Sequence, residues 1–215
     1  TCSGLSWLAK LHATYWGHAR ADAAVKSGLQ HQGCFWHLDT RHKELKNMSK
    51  EGVSGRLHLA AAAIDARMKA DPMQTIVHGD PKVANMMFDQ AGEASFLDFQ
   101  WIGKAAASKD LAYCFCTAAS SLTEDDEAVY LQHYHRELSK LLTAQGDQPP
   151  SLEAVRESYY LAAADLYRWM AGWGTWGNAD VLKKHAKTVL QRLDGGTPLP
   201  SPEAYSEAMS RAYPV

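Results

Sequence analysis

Apolar positions along the first part of the chain follow a helical period. Leu5, Leu8, Leu11, His12 and Tyr15 predict a helix over residues 3–19, with Ser3 or Ser6 able to cap its start. Residues 20–40 select no element: they are small and polar at first, then carry the aromatic pair Phe35-Trp36. A second helical region is expected from Arg41 to Ala70, interrupted at Gly52-Val53-Ser54-Gly55, where two close glycines weaken any continuous helix. Asp71-Pro72 ends it, because the residue before proline is pushed out of the α region.

The period then shortens. Thr75-Ile76-Val77, Met86-Met87-Phe88 and Ser95-Phe96-Leu97 are runs of strand length, and Asp89-Gln90-Ala91-Gly92-Glu93 separates the last two as a hairpin turn. From Ser108 onward the helical period returns. Segments are expected over 108–121, from a Thr123-Glu124-Asp125-Asp126 capping signal to about 145, from Pro149-Pro150 to about 173, over 178–194, and from Ser201-Pro202-Glu203 onward. The pattern therefore gives a mainly α chain with a small β-hairpin element, an α+β layout, and no internal repeat.

Composition narrows the function classes. With 46% apolar and 21% charged residues, the 215-residue chain is globular rather than disordered. Lys and Arg number 22 against 24 Asp and Glu, for a formal charge of −2, so there is no polycationic surface of the kind that binds nucleic acid. No apolar run approaches the roughly 18 residues that would cross a membrane. Four cysteines do not make a disulfide scaffold and point to a reducing, cytoplasmic setting.

Candidate chemistry gathers around the β element. His78-Gly79-Asp80-Pro81-Lys82-Val83-Ala84-Asn85 follows one expected strand, and Asp98-Phe99-Gln100 ends another. A loop leaving a strand can present the Asp80 carboxylate to a hydroxyl that must lose its proton. Asn85 returns to the same cleft with a neutral oxygen for a hard cation, and Asp98 arrives across the hairpin as a charged ligand for it. Magnesium takes one or two carboxylates plus waters and phosphate oxygens, which suits this set. The phosphoryl-transfer pattern H-R-D-x-x-x-x-N followed by D-F-G is matched with glycine for arginine in the first motif and glutamine for glycine in the second.

The stretch from Ile76 to Phe115 resembles the aminoglycoside phosphotransferase and choline kinase-like family. Its pairing of His-Gly-Asp-Pro-Lys-Val-Ala-Asn with Asp-Phe-Gln is most similar to the ecdysteroid kinase-like (CHK kinase-like) branch. The resemblance implies a protein kinase-like fold in which Asp80 is the catalytic base and Asn85 and Asp98 bind Mg2+ for an ATP-dependent phosphotransfer to a small-molecule alcohol. It also implies that Asp110 braces the catalytic loop. Asp110 equally reads as an ordinary first-turn carboxylate favoured by the helix dipole. His78 reads as a loop organiser. Lys82 either neutralises the transferring phosphate or is solvated. Trp169, Trp173 and Trp176 would share one face of a continuing helix, as core or as the wall of an acceptor pocket built on Trp169 and Trp173. The scatter His31, Cys34, His37 and His42 lacks the pairing of a zinc site. Gly172-Trp173-Gly174-Thr175-Trp176-Gly177 matches a nucleotide-loop pattern, but it follows a helix where that loop needs a strand.

The family also uses an N-terminal β-lobe with a phosphate-covering loop and a lysine, and no such pattern precedes Asp80. The chain is therefore expected to be the C-terminal helical lobe alone, residues 1–215, with the catalytic loop and metal hairpin at 75–100 and a helical subdomain at 108–213. Two readings follow: the lobe of an active small-molecule kinase, or a truncated kinase-like module that serves in binding or interaction.

Overall fold

The computed structural model describes residues 1–118 and 121–215. Helix α1 (Cys2–Thr14) buries Leu5, Leu8, Ala9 and His12, the stripe expected of its period. It stops short of the expected Ala19. Gly17 takes φ 89° and its N–H donates to the Gln74 carbonyl at 2.8 Å, so the chain turns there into a separate helix, α2 (His18–Lys26). Neither candidate cap is used as a cap: the Ser3 hydroxyl accepts from the Ala94 N–H, and the Ser6 hydroxyl pairs with His133. Helices α3 (His42–Asn47) and α4 (Gly52–Lys69) flank the expected interruption, which falls at 48–51, just ahead of the glycines. Gly55 lies inside α4, where a side chain would collide with the Lys50 carbonyl.

The three expected strands form as β1 (Gln74–Val77), β2 (Met86–Phe88) and β3 (Ala94–Phe96). Strands β2 and β3 make the expected hairpin, its turn fastened by the Asp89 carboxylate accepting from the N–H groups of Ala91 and Glu93. Strand β1 does not join them. It pairs antiparallel with β4 (Gly103–Ala106), Gln74 opposite Ala106 and Val77 opposite Gly103. Gly-Lys-Ala-Ala carries no strand propensity, and β4 owes its form to the buried partner strand. The loop of interest thus leaves one small sheet and enters the other.

Helices α5 (Ser108–Ala118), α6 (Glu124–Ala144), α7 (Leu152–Trp173), α8 (Ala179–Asp194) and α9 (Pro202–Ala212) follow. The first was expected to reach 121; positions 119 and 120 lie outside the described residues. Local chemistry explains the starts. Thr123 and Asp126 close a reciprocal capping box, and Ser151 and Ser201 cap their helices through the N–H groups of Ala154 and Ala204. Helix α7 is the axis of the molecule. Every residue from Leu161 to Met170 is buried, so it is enclosed on all faces by α3, α4, α5, α6 and α8. The molecule is mainly helical with two small antiparallel sheets. No helix among the described residues is long and apolar enough to cross a membrane.

Candidate active site

The loop that follows β1 is buried from His78 to Pro81. Gly79 sits at φ 85°, and a Cβ there would collide with the Trp101 carbonyl, so both the dihedral and the space require glycine. His78 donates from Nε2 to the Leu97 carbonyl at 2.9 Å, and its Nδ1 accepts from the Asp80 N–H at 3.2 Å. Its ring packs among Trp7, Phe96 and Phe99. One imidazole therefore ties the loop to the hairpin.

Asp110, in the first turn of α5, fastens the loop from behind. Its Oδ2 accepts from the His78 N–H at 2.7 Å and its Oδ1 from the Gly79 N–H at 2.9 Å. His12 of α1 adds Nε2 at 3.2 Å from Oδ2, and its Nδ1 meets the Tyr134 hydroxyl of α6 at 2.8 Å. All of these groups are buried. A carboxylate that accepts several hydrogen bonds from a loop backbone fixes the shape of that loop.

The Asp80 carboxylate is held asymmetrically. Lys82 Nζ lies 2.6 Å from Oδ2, and Asn85 Nδ2 donates to the same oxygen at 3.1 Å and to the Asp80 carbonyl at 2.9 Å. Oδ1 is buried and has no hydrogen-bond partner among the described residues. Tyr113, one turn after Asp110 on α5, faces this carboxylate; burial first, and the Asp80 charge second, push its phenol well above the usual range. Lys82 is thus neither purely solvated nor committed elsewhere: it is partly exposed and paired with Asp80.

The structure brings His78, Asp80, Lys82, Asn85 and Asp110 into one hydrogen-bonded group. Asp98 stands just outside it. The Leu97 N–H donates to the Asn85 carbonyl at 2.9 Å, which carries Asp98 to the edge of the loop, but among the described residues its exposed carboxylate accepts only from Gln100 Nε2 at 3.2 Å. Asp98 takes φ 64°, a left-handed conformation uncommon outside glycine. Asn85 spends its amide nitrogen on Asp80, leaving its side-chain oxygen on the other side. Two oxygen donors of this kind, one neutral and one carboxylate, fit a magnesium ion that keeps waters and phosphate oxygens as its remaining ligands. Among the described residues no group of three or more His, Cys, Asp or Glu converges as a metal site, and His31, Cys34, His37 and His42 form none.

The tryptophans do not share a helix face. Helix α7 ends at Trp173, with Gly174 at φ 140°, and Trp176 folds back from beyond the helix to meet Trp169 at 6.3 Å and Tyr113 at 5.5 Å. Trp169 is core, also packed on Phe35 at 5.0 Å; Trp173 stacks on it at 5.7 Å and is 62% exposed. Phe35 in turn packs on Trp101, whose carbonyl lies against Gly79. This aromatic group adjoins Asp80 through Tyr113. The glycine pattern at 172–177 closes a helix and approaches neighbouring backbone, Gly172 against Glu44 and Gly177 against Cys116.

Tyr113 and His12 were not singled out by motif. The available signals were helical: Tyr113 shares a face of α5 with Asp110 at i+3, and His12 lies on the buried stripe of α1. The sequence model of the ecdysteroid kinase-like family matches residues 29–146, more than half of the chain and the whole span from His78 to Asp110. No curated protein sequence matches it.

Proposed function

The chain belongs to the ecdysteroid kinase-like family, a family of kinase-like phosphotransferases, and on that premise we propose that it forms the C-terminal helical lobe of an ATP- and Mg2+-dependent kinase for a small-molecule alcohol. The observation that carries this reading is the asymmetry of Asp80. One carboxylate oxygen is engaged by Lys82 and Asn85, and the other is left unpartnered on a loop that Asp110 holds rigid.

In phosphoryl transfer the protein contributes positioning and charge stabilisation. Oδ1 of Asp80 accepts the proton of the acceptor hydroxyl, and the pairing on Oδ2 keeps the carboxylate from rotating away. Lys82, anchored on Asp80 yet reaching solvent, brings positive charge to the transferring group. Asn85 and Asp98 would hold magnesium through oxygen; when bound, the ion supplies neutralisation of phosphate charge. His78 and Asp110 act on the loop rather than on substrate. The exposed Trp173, stacked on the buried Trp169, offers an aromatic face for the body of the acceptor.

A second reading, a non-catalytic binding module, draws on one observation. Val83, Met87, Phe88, Leu97 and Phe99 expose large apolar side chains on the same loop and hairpin. The experiment that separates the two is transfer of label from γ-labelled ATP, in the full-length parent protein, to a panel of choline-like, steroid-like, sugar-like and acyl alcohols. Transfer that requires magnesium supports the kinase; no transfer to any of them, with retained binding of a protein partner, supports the module.

A further inference from the structure

A line of buried side chains runs from α6 to the catalytic loop. The Tyr134 hydroxyl lies 2.8 Å from His12 Nδ1, and His12 Nε2 lies 3.2 Å from Asp110 Oδ2. The same Asp110 oxygen accepts from the N–H of His78, two residues before Asp80, at 2.7 Å. Tyr134, His12 and Asp110 are all buried. The line joins α6, α1 and α5 to the loop after β1. Among the described residues the Tyr134 hydroxyl makes no other hydrogen bond.

The partners fix where the protons sit. Asp110 accepts on both oxygens from backbone N–H groups, and His12 Nε2 is its third neighbour. A carboxylate that only accepts requires that this nitrogen carry a proton. Nδ1 of the neutral ring is then a lone pair, and the Tyr134 hydroxyl donates to it. Burial first, and the Asp110 charge second, push the Tyr134 phenol well above its usual range, so it stays a donor.

An imidazole held at one nitrogen can still tilt; one held at both has a single orientation. The main chain of His12 is pinned as well, its carbonyl accepting from Thr75 Oγ1 of β1 at 2.7 Å. The Tyr134 ring packs edge-on against His12 at 5.7 Å, so removing the hydroxyl alone leaves this packing in place. A second buried tie on α6, Glu127 accepting from the Tyr159 hydroxyl at 2.8 Å, leads to α7 and not to the loop.

We propose that Tyr134 is a positioning residue of the phosphotransfer. By donating to His12 Nδ1 it fixes the ring that orients Asp110, and through Asp110 the direction in which the loop presents Asp80. The kinetic consequence rests on the kinase reading; the hydrogen-bonding consequence belongs to the chain by itself.

Tyr134→Phe keeps the ring and removes the donor, and Tyr159→Phe removes a buried hydroxyl of the same kind away from the loop. Nitrogen-15 NMR of the unaltered chain is expected to find His12 protonated on Nε2, with Nδ1 accepting. The His12 ring resonances and the His78 and Gly79 amide resonances are expected to shift in Tyr134→Phe and to stay in place in Tyr159→Phe. In the proposed complete kinase, at a temperature where both variants are folded, kcat of Tyr134→Phe is expected to fall by about 10-fold with KM unchanged. Tyr159→Phe is expected to keep its kcat. A proton found on His12 Nδ1 overturns the proposal, and this reading needs no variant to fold. So do His78 and Gly79 amides that do not move in Tyr134→Phe, or an equal fall in kcat in the two variants. Absence of turnover in the unaltered enzyme would refute the kinase reading instead, while the NMR comparison still decides whether Tyr134 sets the loop.

Discussion

Asp80 and Asp110 are both buried carboxylates, yet their surroundings assign them different work. Asp110 has its two oxygens filled by backbone N–H groups and His12, so it is committed to holding the loop. Asp110→Ala would leave the His78 and Gly79 N–H groups buried and unpaired, at a cost of about 1–3 kcal/mol each. Urea unfolding is expected to register a loss of that size, and loop-dependent turnover should fall with it. His37 gives a pH prediction. Its folded pKa of about 4 lies below the value of 6.5 for the unfolded chain, so the unfolded state binds more protons between those limits. The stability that neutral His37 provides is full above pH 6.5 and is lost as pH falls towards 4, on the order of 2–3 kcal/mol across the window. His37→Gln should flatten that limb of a Tm–pH profile; an unchanged slope would contradict it.

At the scale of elements, what could be read from the chain was whatever local chemistry decides. Thr123 with Asp126, Ser151, and Ser201 followed by Pro202 begin their helices where capping rules put them. The hairpin β2–β3 and the proline-terminated end of α4 were legible for the same reason. The break at Gly17 was not, since one glycine in a helical period is tolerated unless a partner, here the Gln74 carbonyl, captures the turn. Strand β4 was not legible either, because Gly-Lys-Ala-Ala becomes a strand only against β1. The loop after β1 combines both kinds of control. Gly79→Ala puts a side chain at φ 85° and against the Trp101 carbonyl. It is expected to cost more than about 2 kcal/mol and to displace Asp80. Thermal unfolding together with a loss of the His78–Leu97 bond, followed by the imidazole resonances, would check it.

For the whole molecule, α7 is the frame on which the rest is assembled, and polar ties cross its core as well as apolar packing. Glu127 of α6 accepts from the Tyr159 hydroxyl of α7 and from His185 of α8, each at 2.8 Å. Tyr159→Phe removes one of these buried bonds and is expected to lower stability by about 1–2 kcal/mol in denaturant titration. Ties of this sort separate what sequence reading reaches from what it misses. His78, Asp80 and Asn85 lie within eight residues, so their shared loop follows from spacing. The meeting of Asp110 with His12, of Tyr113 with Asp80, and of Trp36 with Lys109 and Arg168 depends on how helices distant in sequence pack. No periodicity encodes those meetings. The aromatic group beside Tyr113 is the same case: Trp169, Trp173 and Trp176 converge by a return of the chain after α7, not by helical register.

The central claim, that Asp80 presents a carboxylate oxygen to a hydroxyl that is phosphorylated, is tested most directly by Asp80→Asn in the proposed complete kinase. Initial rates of phosphoryl transfer from MgATP and MgATP affinity would be measured side by side. The substitution keeps the shape and the contacts on the loop but removes the proton acceptor. Turnover is predicted to drop by about 10²–10⁴-fold with MgATP affinity little changed; turnover at the unaltered rate would contradict the account.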